Sequence, residues 1–236
     1  MIGILSDAHG NGPAFSLAID ILRKCGADRF VFLGDAVGYI PSGSVVESIQ
    51  ELGNSIECIR GNHEEIMLGG NFDSAREPIY QHEKTLASLT ESQLALVDKW
   101  PAQLVREFAA GSALFVHGSP LDPTCDYVYP DTDLSMFDVS HDFVFMGHSH
   151  YPFVRRQGRT CYVNVGSCGM PRDDGRFGAA ATFEPESGKI CLIRFDIREA
   201  TKEAFESPQS IHGSVKAVYE RRSDVPFGEM VNWEKT

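Results

Sequence analysis

Five short apolar runs in this sequence each end in side chains able to bind a metal ion. Ile4-Leu5-Ser6 leads into Asp7-Ala8-His9, and Phe32-Leu33-Gly34 into Asp35. Ile59-Arg60-Gly61 leads into Asn62-His63, Phe115-Val116 into His117-Gly118, and Phe145-Met146-Gly147 into His148-Ser149-His150. Taken singly, each piece has a plainer reading. An Asp-x-His pair is commonly solvated or capping, Gly-Asp and Asn-His are turn chemistry, and a lone histidine after a strand is a hydrogen-bonded core residue. Chance would not set every one of them directly after an apolar run, and that conjunction points to a metal site. Ligands of open α/β sheets collect outside the carboxyl ends of the strands. If these runs share an edge, two Asp, one Asn and five of the eight histidines meet there.

The elements that must position these groups follow from periodicity. Ile2–Leu5, Phe30–Leu33 and Ile56–Ile59 read as strands, with helices over Pro13–Leu22 and Val45–Leu52 between them. That alternation predicts parallel pairs buried on both faces. Residues 77–100 read as helical, with a capping box at Thr90-Glu91-Ser92-Gln93. Further strands are predicted at Leu114–Val116, Phe143–Met146, Tyr162–Val165, Ala180–Phe183 and Ile190–Phe195, the last two joined by a polar hairpin loop. The C-terminal stretch is polar, with one helix expected at Val215–Arg222.

The 236 residues carry 21 Lys plus Arg against 33 Asp plus Glu, a formal charge of −12, with 42% hydrophobic and 23% charged residues. This is globular rather than disordered composition. It argues against stable nucleic-acid binding, which needs clustered cations. No apolar run approaches the roughly 20 residues of a membrane span, and the start lacks the basic region of a signal peptide. The cysteines, Cys25, Cys58, Cys125, Cys161, Cys168 and Cys191, form no Cys-x-x-Cys pair and read as reduced thiols. A cytoplasmic location is expected, with no membrane partner; homo-oligomerisation stays open.

The order of the blocks Asp7-Ala8-His9, Gly34-Asp35, Gly61-Asn62-His63-Glu64, His117 and Gly147-His148-Ser149-His150 resembles the calcineurin-like metallophosphoesterase superfamily. Asn164-Val165-Gly166-Ser167-Cys168-Gly169-Met170-Pro171-Arg172 and Gly38-Tyr39-Ile40-Pro41 are similar to its small bacterial and archaeal phosphodiesterase branch. Gly34-Asp35-Ala36-Val37 lacks the Val-Asp-Arg-Gly continuation of the phosphoprotein phosphatases. The resemblance implies an α/β fold, a two-sheet β-sandwich flanked by helices, as a single domain over 1–236. The motif-bearing core would span about 1–198, with a polar C-terminal segment over about 199–236.

Carried over residue by residue, the resemblance implies that Asp7, His9 and His150 hold one metal and Asn62, His117 and His148 a second. Asp35 would bridge both through its two oxygens. Ligation by nitrogen and oxygen without thiolate suits two divalent ions of Mn, Fe, Zn or Ni and disfavours Ca²⁺. Two such ions bring +4, and Asp7, Asp35 and a bridging hydroxide remove 3, leaving about +1 to attract a phosphoryl oxygen. The expectation is therefore a hydrolase cleaving phosphodiesters of small molecules by attack of a metal-bridging hydroxide, with monoesterase activity left open. His63 would protonate or stabilise the leaving oxygen, while Glu64 is expected in solvent at a helix start. Arg172 and Arg176 are candidate substrate clamps, or else surface ion pairs with Asp173 and Asp174. Arg60 ranks behind them, Tyr39 reads as a packed turn residue, and His82, His141 and His212 match no motif. The competing reading is a catalytically silent scaffold of the same fold, which the complete ligand set disfavours.

Overall fold

Strand β1 (Ile2–Leu5) shows how the apolar runs are used. Ile4 and Leu5 are both fully buried, and alternation along the strand sends them to different cores. Ile4 joins the core between two sheets, whereas Leu5 packs beneath helices. A strand covered on both faces needs no polar positions, hence its solid apolar sequence.

The computed structural model describes residues 1–206, 210–223 and 227–230. After β1 comes α1 (Gly12–Lys24), with Pro13 in its first turn and Asn11 as cap, whose Oδ1 accepts the Ala14 N–H at 3.2 Å. Strand β2 (Arg29–Phe32), helix α2 (Ser44–Leu52) and strand β3 (Ile56–Cys58) complete the parallel β-α-β-α-β unit. Four short helices follow: α3 (Asn62–Gly69), α4 (Glu77–Tyr80), α5 (His82–Ser88) and α6 (Glu91–Asp98). The stretch read as helical over 77–100 is thus three helices. Gln81, at φ 53°, breaks the first from the second, and the Thr90 capping box starts the third.

A second sheet comprises β4 (Gln103–Phe108), β5 (Gly111–Val116), β6 (Phe143–Met146), β7 (Phe153–Gln157) and β8 (Thr160–Asn164), in the order β4-β5-β6-β8-β7. The chain then returns to the first sheet through β9 (Phe177–Phe183) and β10 (Ile190–Asp196). Helices α7 (Arg198–Phe205) and α8 (Gly213–Tyr219) follow, and β11 (Glu229–Met230) closes the order β11-β10-β9-β1-β2-β3. The two sheets pack across Ile4, Val31, Phe115, Phe145, Val163 and Phe183. Helices α1 and α2 cover the outer face of the first sheet, and Val128, Leu134 and Phe137 cover the outer face of the second. The expected two-sheet sandwich is the observed architecture, in a single domain. Among the described residues no helix is long and apolar enough to cross a membrane.

Strands β4 and β7 had no counterpart in the sequence reading. Both are edge strands with mostly exposed or half-buried positions, so their sequences mix polar and apolar residues without a clean signal. Helix α7 carries little periodic signal for a similar reason: only Thr201, bonded to Asn11 at the start of α1, and Ala204, packed with Ile40 and Met170, are buried.

Candidate metal centre

Within the first sheet β1, β2 and β3 run parallel, and within the second β5, β6 and β8 do. The five metal-type blocks therefore leave strands at their carboxyl ends, on one edge of the sandwich. At that edge the backbone bends hard. Asp7, His9, Asp35, His148 and His150 have φ of 57°, 50°, 59°, 61° and 61°. They are five of the seven non-glycine residues with positive φ among those described. This left-handed conformation costs an L-residue roughly 1–2 kcal/mol, so the surroundings must impose it. They do: Asp7 N–H donates to Gly34 O at 3.0 Å, His9 N–H to Asp35 O at 2.9 Å, and Gly147 N–H to His117 O at 2.9 Å.

The bends aim side chains at one another. In the first group, Asp7 Oδ1 lies 3.1 Å from His150 Nε2 and 3.7 Å from His9 Nε2, and the two imidazole nitrogens are 3.1 Å apart. In the second, His117 Nε2 lies 3.2 Å from Asp35 Oδ2, 3.1 Å from His148 Nδ1 and 3.3 Å from Asn62 Oδ1. Asp35 Oδ2 also lies 3.6 Å from His9 Nε2, between the two groups. The other oxygen of Asp35 accepts the His63 N–H at 3.0 Å. Asp35 Oδ2 is thus the oxygen that lies between the two groups, while Oδ1 also holds the His63 backbone.

Each histidine of the two groups is fixed from behind by a main-chain carbonyl. His9 Nδ1 faces Val37 O at 3.1 Å, His117 Nδ1 faces Leu33 O at 2.8 Å, and His148 Nε2 faces Cys125 O at 3.0 Å. His150 Nδ1 faces Met170 O. A carbonyl can only accept, so the outer nitrogen carries the proton and the inner one presents a lone pair. Four imidazole lone pairs, two carboxylate oxygens and one amide oxygen then converge on one small space. Asp7 Oδ1, fully buried, has no hydrogen-bond partner among the described residues. Such a donor set repels itself unless cations sit within it, and nitrogen and oxygen donors without thiolate fit divalent transition metals.

The electrostatics agree. Burial opposes charge on His117, yet Asp35 and Asp7 push its imidazole up to about 10. Burial would raise Asp7 and Asp35, but the surrounding histidines hold both well below the usual carboxylate range. His148 and His150 are pulled down to about 4 by burial. The pocket is anionic and calls for positive charge.

Next to these groups His63 is 3% exposed, its ring 4.9 Å from that of His9. Burial pulls it well below its ordinary range, against the opposing pull of Asp35. Glu64, expected in solvent, is fully buried. It accepts the N–H groups of Asp35, Ala36, Val37 and Gly61 at 2.8, 2.8, 3.2 and 2.7 Å. Burial and Asp35 push this carboxyl up to about 7, but four donors and no acceptor around it describe an ionised carboxylate. Glu64 pins the Asp35 loop to the start of α3. A Gly-Asn-His-Glu block at a helix start carries the signal for this, through the capping position of its fourth residue.

The arginines separate. Arg172 lies beside the site, its Nη2 donating to Tyr39 Oη at 3.3 Å. Arg176 is held away by Asp174, with its Nη2 2.7 Å from Oδ2, which is the ion-pair alternative. Asp173, read with Asp174 as a surface ion-pair partner, instead grips the buried Arg194. Arg60 donates to the carbonyls of Trp100 and Asp98. Tyr39 packs between the rings of His9 and Tyr80. His141 pairs with Ser112, and His212 caps α8. His82, assigned nothing from sequence, lies with its Nε2 2.9 Å from His63 Nδ1.

A cleft of about 850 Å³ adjoins the centre. Tyr39, Met170 and Arg172 line its inner end, Tyr129 and Tyr151 one wall, and Val215, Val218 and Arg221 of the C-terminal segment the other. Tyr127 links the cleft to the ligands, its ring 3.9 Å from that of His148.

Comparison with known proteins meets this geometry from a separate direction. An uncharacterized protein of Methanocaldococcus jannaschii is 26% identical over 228 residues, covering 85% of this chain and 90% of that one. The phosphodiesterase YfcE of Escherichia coli is 23% identical over 168 residues, covering 71% and 78%. The crystal structure of a metallophosphoesterase from Sphaerobacter thermophilus superposes with a TM-score of 0.74 at 24% identity, covering 93% and 97%. Residues 1–188, which contain every ligand block, match the calcineurin-like phosphoesterase superfamily domain, and the chain belongs to that family.

Proposed function

We propose that the protein is a dinuclear metal-dependent phosphoesterase that hydrolyses small phosphodiesters, with monoesters as secondary substrates. The observation that carries this reading is the pair of donor groups sharing Asp35 Oδ2. Asp7, His9 and His150 would hold one ion and Asn62, His117 and His148 the other, with Mn, Fe, Zn or Ni suited to the donors. When bound, divalent ions supply Lewis-acid polarisation of a phosphoryl oxygen and lower the pKa of water.

The chain's own residues supply the rest. Arg172 presents a guanidinium fork to a non-bridging phosphate oxygen at the inner end of the cleft. His63 gives a proton to the leaving oxygen as its bond to phosphorus breaks. The related E. coli protein is named a phosphodiesterase, which supports the diester preference. The full set of ligands supports catalysis over a scaffold role.

Kinetics on paired chromogenic diesters and monoesters test the reading. Chelation abolishes activity, Mn²⁺ restores it, and kcat/KM is higher for the diester. Failure of every divalent metal to restore hydrolysis would sink the proposal. His63→Ala lowers kcat by about 10²–10³ for a diester whose leaving group needs a proton, such as the unsubstituted phenyl ester, with metal content unchanged; loss of metal instead would make His63 a ligand, since its ring nitrogen also clusters with His9 and Asp35.

A further inference from the structure

Helices α4 and α5 bring Glu77 and His82, which belong to no metal-binding block, into line with His63. His63 Nδ1 lies 2.9 Å from His82 Nε2. On the far side, His82 Nδ1 lies 3.4 Å from Glu77 Oε2. His82 is 1% exposed and packs against Phe72 and Tyr80, with ring centroids 5.9 and 5.5 Å away. The Glu77 side chain is 16% exposed, so the chain of groups starts near solvent and ends at the metal centre. Glu77 Oε1 accepts the Glu83 N–H at 2.8 Å, while Oε2 is buried with no hydrogen-bond partner among the described residues.

The chemistry proposed for His63 gives this arrangement a use. An imidazole that hands its Nε2 proton to a leaving oxygen is restored when its other nitrogen takes a proton in the same event. His82 is the group in contact with that other nitrogen, and its own second nitrogen faces a carboxyl.

We infer that His82, backed by Glu77, is a positioning and proton-relay partner of His63 in leaving-group departure. This rests on the proposed role of His63. The contact at Nδ1 leaves Nε2 as the nitrogen that faces substrate. As the P–O bond breaks, its electron pair takes the Nε2 proton. Nδ1 of His63 receives the Nε2 proton of His82, whose Nδ1 proton stays facing the Glu77 carboxylate, so His82 enters the step as an imidazolium paired with Glu77 and leaves it neutral. His63 keeps its proton count with its tautomer reversed, and the proton released by the attacking water restores Nε2 of His63 as the Nδ1 proton passes back to His82.

A series of phenyl-substituted diesters tests this, because a nitrophenolate leaves without a proton and a plain phenolate or alkoxide does not. In His82→Phe, which keeps a ring against Phe72, kcat for the p-nitrophenyl ester stays within about twofold of wild type. It falls about tenfold or more for the unsubstituted ester, with KM and metal content unchanged. Glu77→Gln, at a partly exposed position, shows the same selectivity and decides the matter should His82→Phe not fold. In His82→Ala, added imidazole restores the lost rate. Equal losses on both esters, no loss, or no rescue would overturn the relay. His63→Ala separates the two layers. If it shows no leaving-group selectivity, the role of His63 itself fails; if it does and the His82 and Glu77 variants do not, only the relay fails.

Discussion

Glu64 holds main-chain N–H groups on both sides of the metal-type cluster without belonging to it. Its two oxygens hold four N–H groups from two loops. Glu64→Gln turns an acceptor-only group into one with its own donors facing N–H, and the cost is about 2 kcal/mol or more. Urea unfolding measures it, and a variant as stable as wild type would refute the pinning role. The histidines set the pH response of chelated protein. His117, raised to about 10 from the ordinary 6.5, contributes stability that is complete below 6.5 and lost as pH rises toward 10. His148 and His150, lowered to about 4, contribute stability that is complete above 6.5 and lost as pH falls toward 4. Chelated protein therefore has its highest Tm near pH 6.5, and Mn²⁺-loaded protein loses the alkaline fall because the cation replaces the proton. A flat alkaline limb without metal would remove His117 from this role.

At the level of elements, the site is a property of how strands end. The parallel strands stop one to four residues before the metal-type residue that follows them, and at Asp7, Asp35 and His148 a left-handed bend turns inward a side chain that would otherwise continue the strand's alternation. Gly34 makes this possible between β2 and Asp35. Its φ is +96°, and a Cβ there would lie 2.4 Å from Gly61 N. Gly34→Ala therefore costs about 2 kcal/mol or more and separates Asp35 from the Asn62 loop, lowering metal content measured by elemental analysis. Full metal occupancy in a stable Gly34→Ala protein would count against the tight loop contact. Gly147 answers a different need: a Cβ there would meet Ser6 Oγ at 2.1 Å, so the β1 and β6 loops can touch only without one.

The whole molecule resolves a conflict of sign. A chain of formal charge −12 presents Arg172 and Arg221 at the cleft beside its two donor groups. Helix α8, which lies beyond the matched residues 1–188, contributes Val215 and Val218 to that cleft and packs on Ile40 and Met170. The C-terminal segment thus shapes the approach to a centre whose ligands all lie elsewhere. Val218→Trp narrows the cleft and raises KM for a bulky diester about tenfold, with kcat on a small ester and metal content unchanged. Unchanged KM across substrate sizes would show that substrate enters by another face.

The ligand blocks were legible in the sequence because each is contiguous with the apolar run that positions it. Singly Asp7, Asp35, Asn62, His117 and His148 have plainer readings; it is their shared place directly after apolar runs that marks a site, the family resemblance that sorts them into two groups, and parallel β-α-β order that brings strand ends to one edge. Strands β1 and β6 were likewise plain, being apolar on both faces, whereas edge strands β4 and β7 were hidden by their exposure to water. Only the tertiary structure decided which partner each polar atom meets. It buried Glu64, gave His63 a neighbour in His82 nineteen positions away, drew Arg176 to Asp174 and left Arg172 at the cleft. The physical reason is range: burial periodicity is written in consecutive residues, but a hydrogen bond is chosen over about 3 Å between groups whose separation along the chain carries no signal.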